Sequence, residues 1–181
     1  YGFLTCLEER ELHLWRFLRL GYDRGPWVVR DLTDDRVAVL TRAVGHLTGE
    51  AHLLKGFTRF SEQEGVLVGE IAPKNRVLPL LRPHFCARYP EESFVLYDRT
   101  HREALFYRPR RWAIVPLEAF RAAAPGREER DFRRLWRRFY DTIAIEGREN
   151  PRCRMTQMPK RFWGTMTEFQ NETEERKELA P

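Results

Sequence analysis

The chain has 181 residues, of which 42% are hydrophobic and 13% aromatic. That is enough for one domain with a real core, and it excludes a disordered polypeptide. No apolar run approaches the ~20 residues that span a bilayer, so a soluble protein is expected. The formal net charge is +5, a balance that permits contact with nucleic acid without demanding it.

Cysteine use narrows the class further. Cys6, Cys86 and Cys153 are odd in number and far apart, with no CxxC pair. This argues against a zinc ribbon and a disulfide framework and fits a reducing cytoplasm. The chain opens at Tyr1 without a charged-then-apolar leader, so no signal peptide is expected.

In chain order, residues 7–20 read as a helix through Leu12, Trp15, Phe17, Leu18 and Leu20, ended by Gly21, with DRGPW as a turn before Val28 and Val29. Asp31, Thr33 and Asp34 are candidate caps for a second helix through Val37, Leu40, Val44 and Leu47, reaching Glu50. From Gly56 the period changes to two. Residues 57–60, a turn over 62–65 and residues 66–71 read as a hairpin. On that strand Phe57 and Arg59 share one face. Pro73 ends the hairpin, and Asn75 opens a helical piece carrying Val77, Leu78, Leu81 and Phe85, which Pro83 is expected to kink or split just before His84. A second hairpin follows over residues 94–98 and 103–107, turning through RTHR, and residues 112–115 suit an added edge strand. Residues 122–126, AAAPG, form a connector.

The most unusual stretch is residues 135–169. Phe132, Leu135, Trp136, Phe139 and Ile143 recur at spacings of three and four, the stripe of an amphipathic helix. Gly147 suits a left-handed cap and Asn150-Pro151 disfavours further helix. A second short helix with Phe162, Trp163, Met166 and Phe169 resumes after Pro159, which suits a first turn. Between them lies a polar elbow crowded with Arg148, Glu149, Asn150, Arg152, Arg154, Gln157, Lys160 and Arg161. Residues 127–163 hold 11 basic and 6 acidic side chains, just ahead of the acidic end NETEERKELAP. Two readings of the elbow stand side by side: a solvated connection whose Arg and Asn groups tie down helix ends, or a cationic groove for an anionic partner with aromatics available for stacking.

The expected architecture is α+β: an antiparallel sheet built from two hairpins, packed by N-terminal and C-terminal helices. Residues 1–169 are read as one domain and residues 170–181 as an acidic tail that frays.

The strings IAIEGRENPRC and MPKRFWGTMTEF, with Glu50-x-His52 before GFTRF, EIAPKNRVLPLLRPHFCARYP and FVLYDRTHREALFY upstream, carry a resemblance. Over residues 33–169 the chain resembles a bacterial family of proteins of unknown function ascribed to DNA metabolism and DNA repair. The resemblance implies a radical SAM protein of DNA modification or repair as companion, and in some members fusion to a uracil-DNA glycosylase domain. The three-cysteine cluster of a radical SAM enzyme and the active-site motifs of a uracil glycosylase are both absent from this sequence.

For chemistry, His52, His84, Asp98 and His101 sit beside structural breaks, where catalytic groups often lie. The bland alternative for each histidine is a hydrogen-bonded structural group. His46 and His52 are six apart, which no metal-binding helix face uses, so no metal and no cofactor are expected. Three functions follow. The first is an accessory module binding DNA through Lys55, Arg59, Arg148, Asn150, Arg152, Arg154, Lys160 and Arg161, with Trp163 stacking on a base. The second is an enzyme acting on DNA or a nucleotide, with His52, His84, Asp98 and Arg59 around a pocket. The third is a protein-interaction module that docks the radical SAM companion without touching nucleic acid. The first is preferred, and contact with a membrane is not expected.

Overall fold

The computed structural model describes residues 1–118, 120, 135, 155–156 and 158–166. These fall into two compact units. One is helical and comprises Tyr1–Gly56 with Pro73–Ala87; the other holds the sheet and comprises Phe57–Ala72 with the described residues from Arg88 onward.

The helical unit begins with α1, Arg10–Arg24. The helix runs through Gly21, where an end was expected, and stops at Gly25, whose φ of 85° is open to glycine and strained for other residues. A 3-10 segment, Pro26–Arg30, follows with proline in its first turn. Leu20, Val28 and Val37 form a buried cluster with Phe17 against it. Trp15 and Leu18, on the same expected helix, are exposed.

α2 spans Asp35–Phe57. Of its three candidate caps the structure uses Asp34, which accepts the Arg36 backbone N–H at 3.0 Å. The same carboxylate takes the Arg36 guanidinium at 2.9 and 2.7 Å, with Arg24 at 3.7 Å. Hydrogen bonding from Arg36 holds the Asp34 carboxyl down at about 2, against an ordinary 3.8. Because the folded value lies below the unfolded one, the stabilisation is complete above about pH 4 and is lost as pH falls through 2. In thermal melts Asp34→Ala should therefore lower Tm at neutral pH, and its deficit against the parent should shrink as the pH approaches 2.

α3 is Leu78–Arg88 and remains one helix across Pro83. The hydrogen bond that Pro83 cannot donate would have gone to the carbonyl of Pro79, in the first turn. Asn75, expected to start this helix, lies ahead of it and is buried.

In the second unit, β1 (Phe60–Gln63), β2 (Val66–Ile71), β3 (Phe94–Asp98), β4 (Glu103–Arg108) and β5 (Arg111–Pro116) form one sheet in chain order. The fold class is α+β, and the sheet is mostly antiparallel, as the two hairpins require. It is nevertheless mixed, because β2 and β3 pair in parallel, Gly69 opposite Leu96. A parallel pair cannot be closed by a tight turn; the connection here runs through α3. Glu64 and Gly65, both at positive φ, make the two-residue β1–β2 turn, the pattern that matches strand twist. Phe57, expected on the first strand, is the last residue of α2. The edge strand expected at residues 112–115 is β5, paired with β4.

An aromatic cluster stiffens the sheet. Phe94 stacks on Tyr107 with centroids 4.9 Å apart, and Phe60 meets Phe94 and Tyr89 edge-on at 5.8 and 5.5 Å. Phe60 faces Gly69 across the ladder, and a Cβ there would stand 3.1 Å from its ring. Among the described residues no helix is long and apolar enough to cross a membrane.

Candidate nucleic-acid interface

The C-terminal part of the sheet unit includes a 3-10 helix, Lys160–Thr165, entered through Pro159. It stands where a short helix was expected. Proline has no N–H to waste at such a start and fixes φ, so MPKRF favours a tight turn there. The segment packs against β2. Phe162 and Met166 are buried, and the Phe162 ring lies 5.4 Å from that of Phe57. Trp163 is half-buried and its indole N–H donates to the Met158 carbonyl at 3.0 Å. The Thr165 hydroxyl donates to the Phe162 carbonyl at 3.0 Å. The turn is thus closed on itself and pinned from beneath by two apolar side chains.

Its outer side carries the charge. Lys160 and Arg161 are exposed. The Lys160 ammonium lies 5.9 Å from the centre of the Trp163 ring, and the Arg161 guanidinium 4.7 Å from that of Phe162. Each cation lies over an aromatic face on an exposed side chain. Two cations and a partly open indole on one anchored turn can meet a phosphate and the base beside it.

Lys55 is half-exposed in the last turn of α2 and belongs to the helical unit. Arg59 belongs to the sheet unit, half-exposed, with its guanidinium 3.4 Å from the Thr58 carbonyl. Arg148, Asn150, Arg152 and Arg154 lie outside the described residues.

The candidate catalytic groups are distributed differently. His52 is exposed on α2, and His84 is half-buried on α3 with its ring edge-on to Phe85 at 5.0 Å. Both are in the helical unit, whereas Asp98 and Arg59 are in the sheet unit, so neither unit contains the four together. A cleft of about 440 Å³ in the helical unit is lined by Thr5, Cys6, Arg42, His46 and Asn75 among others, but not by His52 or His84.

Asp98 is brought together with a residue that the alternation pattern alone could not assign to it. Its carboxylate is fully buried, 2.7 Å from His101 Nδ1, and accepts the backbone N–H groups of Thr100 and His101 at 2.9 and 3.1 Å. Burial pushes the Asp98 carboxyl up, and the hydrogen bonds from His101 and Thr100 pull it back. All of these partners belong to the β3–β4 turn, where an ionised Asp98 would require the proton on Nδ1. The pair clamps that turn, and the spacing of three across a hairpin loop was its sequence signal.

The helical unit also contains a buried carboxylate that sequence reasoning passed over. Glu50 accepts the backbone N–H groups of Lys74 and Asn75 at 3.0 and 2.8 Å and the Asn75 amide at 2.7 Å. Asn75 in turn accepts the Cys6 N–H at 2.9 Å. The Glu50-x-His52 string therefore places an anchor at Glu50 and an exposed ring at His52.

No curated protein and no solved structure matches the chain. The family model for the domain of unknown function DUF4130 matches residues 8–168, and with that span the chain belongs to this uncharacterised family.

Proposed function

We propose that this protein is a nucleic-acid-binding accessory protein of DNA metabolism or repair, whose contact surface is the cationic, aromatic C-terminal segment. One observation carries the reading: Lys160 and Arg161 stand exposed over Trp163 and Phe162 on a turn whose underside is buried. A solvated connection does not need cations fixed over rings on an anchored turn. A strand-binding surface does, because phosphate contacts position the strand and ring faces accept bases of any sequence. The arginines at 148, 152 and 154 extend the same cationic run in sequence. Work alongside a radical SAM protein, and the link to a uracil-DNA glycosylase domain, rest on the resemblance of the quoted strings.

The enzyme reading has less support. The Asp98 carboxylate is engaged within its own turn by the Thr100 and His101 backbone N–H groups and the His101 ring.

Fluorescence anisotropy with labelled single-stranded and duplex DNA tests the proposal. The double variant Lys160→Ala, Arg161→Ala should bind at least several-fold more weakly while keeping its far-UV circular dichroism and melting temperature, since both side chains are exposed. Equal affinity of parent and variant would remove this turn from the interface.

A further inference from the structure

α1 has a second apolar face that nothing among the described residues covers. Leu20 and Phe17 face inward, and the helix packs on the 3-10 segments Gly2–Leu4 and Pro26–Arg30. On the opposite side, helical spacing brings Leu12, Trp15, Leu18, Arg19 and Tyr22 into one stripe. Trp15, Leu18 and Tyr22 are 55%, 67% and 92% exposed. A helix that is apolar on both faces is a helix with two packing partners.

We propose that this stripe is a self-association face, on which α1 of a second copy of the chain lies antiparallel across a two-fold axis at Trp15. The sequence around Trp15 is complementary to its own reverse. Leu12 and Leu18 stand three residues to either side, and Glu11 and Arg19 stand four to either side. In a two-fold contact, residue i meets j and j meets i. An antiparallel crossing at Trp15 therefore sets Leu12 against Leu18 of the second copy and Glu11 against its Arg19, each twice, with the indoles at the centre. A parallel crossing would instead oppose Glu11 to Glu11 and Arg19 to Arg19, so the charges select the antiparallel orientation.

Among the described residues the contacts of these charges are local. The exposed Glu11 carboxylate pairs with its half-buried neighbour Arg10, at 2.9 Å, and Arg19 lies 5.5 Å from the centre of the Trp15 ring. Such surface contacts are weak and exchange readily. Trp, Tyr and Arg are also the residue types that dominate protein interface energies. A nucleic-acid strand fits this face less well, because it would leave the leucines unused and meet the carboxylate of Glu11.

Sedimentation velocity of the full chain over a concentration series tests the proposal. The parent should show a concentration-dependent monomer–dimer equilibrium, lost in Trp15→Ala. Glu11→Arg and Arg19→Glu each place like charges in both symmetric contacts and should weaken the dimer by about tenfold or more. An equimolar mixture of those two variants restores opposite charges at both contacts, as does the double variant, and each should dimerise like the parent. Circular dichroism confirms that the exposed substitutions leave the fold intact. A parent that stays monomeric, a dimer indifferent to either charge reversal, or a mixture that fails to recover would overturn the proposal. So would a chain that stays monomeric while these variants lose DNA affinity, which would assign the stripe to nucleic acid.

Discussion

Glu50→Ala should cost the helical unit about 3–5 kcal/mol, one of the largest single effects in the chain. The side chain is buried and accepts hydrogen bonds from the Lys74 and Asn75 backbone and the Asn75 amide. Alanine would leave those donors inside the protein without their acceptor, and the penalty for stranding a buried donor exceeds the net value of the bond it made. The damage would spread along the chain. Asn75 holds the Cys6 N–H, and the Arg76 N–H donates to the Leu4 carbonyl at 2.8 Å, so the N-terminal segment is tied down through the same region. Glu50→Gln should cost less, about 1–3 kcal/mol, because one oxygen can still serve the two Asn75 donors while the amide faces the Lys74 N–H. Urea denaturation followed by far-UV circular dichroism measures both. A midpoint for Glu50→Ala equal to that of the parent would refute the network as an anchor.

Phe162→Ala should produce the second large effect, and of a different kind. Removing a buried phenyl ring costs about 3–5 kcal/mol of packing where the surroundings cannot collapse. Here the ring is one of two apolar side chains that pin the Lys160–Thr165 turn, and it faces Phe57. The variant keeps both cations and still should lose DNA affinity, because they would no longer be held in place. Hydrogen exchange at residues 160–166 should accelerate in parallel. The exposed double variant at Lys160 and Arg161 should do the reverse, losing affinity while leaving exchange unchanged. Undiminished DNA binding by Phe162→Ala would separate the turn's anchoring from its function and count against the account.

The hairpins were legible in the sequence because their information is local. Residues 94–98 and 103–107 are short apolar runs, and a polar turn separates them, so the hairpin followed from local sequence. The parallel pairing of β2 with β3 left no such trace, since it depends on where a crossover returns the chain. Phe57 and Phe60 show why boundaries slip. Two phenylalanines three residues apart, with Thr58 and Arg59 between them, fit the last turn of a helix as well as the first residues of a strand, and α2 extends through Phe57. At α1 the period of the helix was readable, but composition could not say which of its two apolar faces meets the protein's own core. Leu20 is buried and Leu18 exposed, two residues apart.

The candidate site was legible to a similar degree. MPKRFW announced a start, two cations and two aromatics, and the structure adds that Phe162 points inward while Lys160 and Arg161 remain outside. The pairing of Asp98 with His101 became specific only once the β3–β4 turn closed. For Glu50, nothing in one helix indicates that its acceptors are required by a segment 24 residues later in the chain.

The most direct test of the central claim is the salt dependence of DNA binding, measured as the slope of log K against log salt concentration for the parent and for the Lys160→Ala, Arg161→Ala variant. Each phosphate contact contributes roughly 0.7 to the slope on single strands and 0.9 on duplex. The account predicts a steep negative slope for the parent and one shallower by about 1.4–1.8 for the variant, the loss of two phosphate contacts. Parallel slopes, or a parent that binds neither form of DNA at low salt, would contradict it.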